Sequence, residues 1–141
     1  MDLIGLTRAV DAIKGFFNPL FEPPTSYPPM VLGGGVLWDA EVRDTDTHNT
    51  KLMRIVGDSR YVFHVENLAN QTVTLQLRGN IENEPDHAGN MSDSVTIAAN
   101  TIEPVTVSSE LWACWVGLQI SYASAPTAGG LRITGRAEGY R

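Results

Sequence analysis

The stretch TVTLQLRGN, residues 72–80, carries the pattern on which the architecture turns. Val73, Leu75 and Leu77 alternate with Thr72, Thr74, Gln76 and Arg78. Successive side chains of a strand point to opposite faces, so this is a strand with one apolar and one polar side. Just upstream, RYVFHVEN at 60–67 is a dense β-branched and aromatic run, and LANQ at 68–71 supplies turn residues. The two runs predict a hairpin over 60–67 and 72–79 with a four-residue loop.

Working outward, the same texture continues in both directions. GGG at 33–35 reads as a flexible lead-in to VLWDAEV, in which Val36, Trp38, Ala40 and Val42 fall on one face. The polar insertion IENEPDHAGNMSD at 81–93 is built of turn formers and predicts a long surface loop. Further strands are expected in SVTIAA, PVTVSS, WACWVGLQISYAS and LRITGRAEG, separated by NTIE, EL and APTAGG. Short strands at close spacing, about eight in all, predict an antiparallel β-sandwich or jelly roll of two four-stranded sheets over residues 31–141.

The first thirty residues read differently. Leu3, Leu6, Val10, Ile13 and Phe17 recur at helical spacing, and Gly15 and Pro19 should end that short amphipathic helix. FFNPLFEPPTSYPPM at 16–30 then holds five of the eight prolines, which favours a stiff polyproline-like path. Residues 1–30 are therefore expected to be a helix followed by an extended Pro-rich arm. Leu3, Leu6, Val10, Ile13, Phe16, Phe17, Phe21 and Tyr27 are its candidate contact residues, either with its own domain or with a neighbouring subunit.

Composition narrows the function. A net charge of -6, with eight Arg and two Lys, offers no basic face for nucleic acid or for an anionic membrane. No apolar run approaches the ~20 residues of a membrane-spanning helix. Arg8, Asp11 and Lys14 interrupt any signal-like segment, so synthesis in a host cytoplasm is expected. Cys114 is a lone thiol in an apolar run and reads as a small core side chain. No nucleophile elbow, phosphate loop, dinucleotide fingerprint or zinc motif occurs, so the expectation is a protein that is not an enzyme and uses no cofactor.

Three groups of residues can still carry chemistry. In DAEVRDTDTH, an extended backbone would put Asp44, Asp46 and His48 on one face, as a divalent ion would require. The spacing lacks the glycine and terminal glutamate of a calcium loop, so a solvated acidic surface is the plainer reading and no metal site is assigned. Glu84, Asp86 and His87 place an acid beside a histidine on the long loop, without an accompanying nucleophile. Trp38, Trp112 and Trp115 are candidate ligand or interface aromatics, although a three-residue spacing sets the last two on opposite faces of a regular strand.

The segments VENLANQTVTLQLRGNIEN (65–83) and WVGLQISYASAPTAGGLRITGRAEG (115–139) resemble β-sandwich domains of tailed-bacteriophage head-decoration proteins. The likeness spans about residues 60–139 and rests on strand and turn style. It implies a capsid auxiliary or cement protein on the virion surface, a homo-oligomer and specifically a trimer, partnered by the major capsid protein. The arm would clamp neighbouring capsomers. The alternatives are another virion component, such as a tail or head-fibre module, or a carbohydrate-binding β-sandwich module.

Overall fold

The computed structural model describes residues 30–55, 60–106 and 113–139. The helix and arm are expected over residues 1–30: Met30 instead begins a strand, and the rest, with all eight contact residues named there, lie outside the described residues. So does Trp112.

The described chain is an antiparallel two-sheet sandwich. Its strands are β1 (Met30–Ala40), β2 (His48–Asn49), β3 (Met53–Arg54), β4 (Arg60–Asn67), β5 (Val73–Asn80), β6 (Gly89–Asn90), β7 (Val95–Ile97), β8 (Thr101–Val105), β9 (Trp115–Tyr122) and β10 (Leu131–Gly139). One sheet has the order β1-β10-β4-β8. In the other, β9 and β5 are central, β2 and β3 share the flank of β9, and β6 and β7 share the flank of β5. The ten described strands exceed the expected eight because both edges of the second sheet are broken in two.

The pairing is nested. β5 pairs with β6 and β7, β4 with β8, β2 and β3 with β9, and β1 with β10. A single antiparallel ribbon, with its tip at the long polar loop, is thus folded over into two sheets, which is jelly-roll topology.

This overturns the expected hairpin. β4 and β5 do not pair: β4 lies between β10 and β8, and β5 lies in the opposite sheet beside β9. Alternation fixes which face of a strand is buried but says nothing of which strand lies beside it. Residues 68–72 therefore cross between sheets.

Other local readings are corrected in the same way. The triple glycine is inside β1, with Gly33, Gly34 and Gly35 opposite Ala137, Arg136 and Gly135. At Gly34, φ is +143° and a Cβ would lie 2.5 Å from the Gly135 carbonyl oxygen, so the close approach of β10 demands glycine. A register shift between Val36 and Trp38 breaks the predicted phase, leaving Val36 exposed and Leu37 buried. NTIE is no separator, because β8 begins at Thr101 and the turn is made by Asn100 at φ 52°. Pro104 sits in β8 at a sheet edge, where a missing backbone donor does least harm.

The core fills the space between the sheets. Phe63, Val65, Ile133 and Ala137 from one side meet Val73, Leu75, Val116 and Ile120 from the other, all fully buried. The alternation that opened the sequence reading holds here, with Val73, Leu75 and Leu77 inward.

Four of the sheet-to-sheet crossings are stapled to one another. Asn67, fully buried, donates from Nδ2 to the carbonyls of Gln71, Ile97 and Ala98 and accepts from the Tyr122 hydroxyl at 3.0 Å. Asn70 holds Thr127 through side chain and backbone at 2.7 and 3.0 Å. Arg43 donates to the Gly129 carbonyl at 2.7 Å. The crossings at 41–47, 68–72, 98–100 and 123–130 thereby form one end of the sandwich. Burial pushes the Tyr122 hydroxyl up to about 12, so it stays a hydrogen-bond donor at ordinary pH.

Candidate functional site

The acidic stretch 39–48 bends rather than extends. Asp44 and His48 meet at 2.7 Å, and the Asp46 backbone N–H donates to the Asp44 carboxylate at 3.2 Å. The hydrogen bond to His48 holds the Asp44 carboxyl below its usual value. His48 also lies against Trp38, ring centroids 5.6 Å apart and tilted by 52°. Trp38 in turn packs on the core from its edge. The stretch is a brace between β1 and β2.

The second polar stretch lies on the second sheet. A short 3-10 turn, Pro85–His87, brings Asp86 to Asn49, whose Nδ2 donates to Asp86 Oδ1 at 3.2 Å. Gln119 donates to the Asn49 side-chain oxygen Oδ1 at 3.3 Å, Asn80 donates to the Glu84 backbone carbonyl, and Arg78 donates to the Ala88 backbone carbonyl and to the Asn90 side chain. The loop is folded back across the polar face of β5 and β9. Two stretches 37 residues apart, each carrying an acid–histidine pair, are thus joined through Asn49 and Asp86.

In this loop, His87 Nδ1 and Glu84 Oε2 are 2.9 Å apart. Glu84 raises the His87 pKa above 6.5, first by the hydrogen bond and then by its charge. A raised histidine favours the folded state below the unfolded value, and that contribution fades as pH climbs through the folded pKa. The His87 ring resonances in an NMR titration should therefore show a midpoint above 6.5 that Glu84→Gln moves back toward it. An unchanged midpoint in Glu84→Gln would dismiss the contact.

The described tryptophans are not brought together. Trp38 belongs to β1 in the first sheet and Trp115 to β9 in the second, opposite Asn80 and Arg54. Cys114 is half-buried, and its backbone N–H donates to the Asn80 carbonyl. Among the described residues, no group of three or more His, Cys, Asp or Glu is placed to hold a metal ion, and no helix is long and apolar enough to cross a membrane.

A different feature appears on the outer face of the first sheet. Arg60, Tyr61, Val62, Thr106, Arg136 and Glu138 line a cleft of about 310 Å³. Glu138 bridges both arginines, at 2.6 Å to Arg136 and 3.7 Å to Arg60. The sequence reading missed this cluster because Arg60 and Glu138 become neighbours only when β4 pairs with β10.

No family model, curated protein or solved structure matches the chain. Its own geometry must carry the functional reading.

Proposed function

We propose that this protein is a structural virion component, a decoration or cement protein that seats on the outside of a phage head and stabilises it as a homo-oligomer. The observation that supports this reading is where the N-terminal segment joins the sandwich. β1 lies at the edge of its sheet, and Met30 pairs with Gly139 at the end of β10. A segment of 29 residues rich in proline and aromatic side chains is thus attached at the rim, on a strand secured along its length to β10. A rim attachment suits a segment that reaches a neighbour, since it need not thread through the core. Prolines lower the entropy lost when such a segment is ordered. The Asp44–His48 pair braces a crossing against β2, and Asn49 ties β2 to the long loop through Asp86, which suits a rigid shell component.

The test is direct. Purified protein should be oligomeric by light scattering, trimeric in mass, and should co-sediment with assembled heads of its cognate capsid protein. A monomer that purified heads fail to retain would sink the proposal.

A further inference from the structure

The outer face of the β1-β10-β4-β8 sheet carries charges of both signs, part of them paired within the face, Glu138 with Arg60 and Arg136 and Glu66 with His64. Register places Val36, Thr134, His64 and Pro104 in one row across the four strands, and Asp39, Arg132, Glu66 and Ile102 in the next. Arg136 stands beside Val62, and Glu138 beside Arg60. Two large hydrophobics on this face are open to solvent, Val36 at 42% and Ile102 at 55%.

Three acids, Asp39, Glu66 and Glu138, are set among three arginines, Arg60, Arg132 and Arg136. The face is therefore neutral on a chain of net charge -6. Its signs also alternate along the row Asp39, Arg132, Glu66. Two copies approaching through a neutral patch of alternating sign avoid the repulsion that the chain's overall charge imposes elsewhere. Around a three-fold ring each copy offers one part of the face to one neighbour and another part to the next, and alternating signs let arginines of one copy meet acids of another. The exposed Val36 and Ile102 supply apolar area for it, at roughly 25 cal/mol per Å² removed from water. The other sheet's outer face is engaged differently, since loop 81–88 is folded across it through Asp86 and Ala88.

We propose that this face is the surface through which copies of the chain associate, with a second copy of the chain as its occupant. The proposal rests on the homo-oligomeric reading above and adds where the contact lies. The arm's root borders the same sheet, so an arm from one copy would start beside the partner it reaches.

The test uses the full chain. Arg132→Glu and Ile102→Asp both alter exposed positions and should leave the melting temperature near wild type. Each should weaken association by about tenfold or more in sedimentation velocity, since interface hot spots commonly exceed that cost. Thr74→Asp, on the other sheet's outer face, should leave association unchanged. On unaltered protein, carbodiimide labelling of Asp39 and Glu66 should fall as concentration rises.

A monomeric wild type overturns the proposal. So does an oligomer indifferent to both face variants, or labelling that is independent of concentration. Head retention is read separately. Heads that retain the wild type while the face variants still associate normally would leave the decoration reading standing and remove only this interface. Association through the face without retention by heads would do the reverse.

Discussion

Asn67→Ala should lower stability by roughly 3–5 kcal/mol, the cost of leaving several buried polar groups without partners. The Asn67 side chain is fully buried; its two amide hydrogens are shared among the carbonyls of Gln71, Ile97 and Ala98, and its Oδ1 accepts from Tyr122. The partners come from three pieces of the crossover end: Gln71 from the β4–β5 crossing, Ile97 and Ala98 from the end of β7 and the crossing after it, and Tyr122 from the end of β9. Removing the amide strands all of them where water has little access. For a chain of this size the loss corresponds to a melting temperature lower by about 10 °C. Tyr122→Phe removes one hydrogen bond and leaves the amide N–H groups on their carbonyls, so it should cost only about 1 kcal/mol. Urea denaturation of the two variants separates these outcomes. Equal, small losses would mean that the amide does not hold the crossings together.

Gly129→Ala should cost about 3 kcal/mol or more, because backbone strain and a backbone collision add. Gly129 has φ +81°, and a Cβ there would lie 1.9 Å from the Leu68 carbonyl oxygen. The obstacle is main chain and cannot rotate aside. Relief means moving loop 123–130 away from 68–70, which breaks Leu68 N–H to Gly130 and Asn70 N–H to Ala128 and displaces the carbonyl that Arg43 binds. The adjacent Gly130→Ala is the control: a Cβ there meets only Glu41 at 3.8 Å, an ordinary contact. It should be close to neutral. If both glycines tolerate alanine equally in urea denaturation, the docking of the two crossings is looser than these contacts require.

Both predictions concern residues that the sequence reading passed over, for the same physical reason. Asn67 ends a strand and Gly129 sits in APTAGG, and in each case the local signal says only that a turn is near. What makes them matter is a partner 30 to 60 residues away, as in the Tyr122–Asn67 bond. The polar stretches behaved likewise. The acid–histidine pairs Asp44–His48 and Glu84–His87 were legible because their members are three or four residues apart. Their link through Asn49 and Asp86 was not, because it depends on how the ribbon tip folds back. The neutral face of the first sheet lay equally hidden, its Arg60–Glu138 contact requiring the β4–β10 register.

The sequence by itself determined the all-β class, the inward residues of β5 and the polar stretch at the ribbon's tip. Those follow from side-chain periodicity and turn chemistry, which act over a few residues. Tertiary structure alone decided which strands pair. Alternation tells a strand to bury one face but names no partner, so the expected 60–67/72–79 hairpin gave way to strands in opposite sheets. Buried amide and backbone bonds at the crossovers, set by contacts far apart in sequence, accompany that choice.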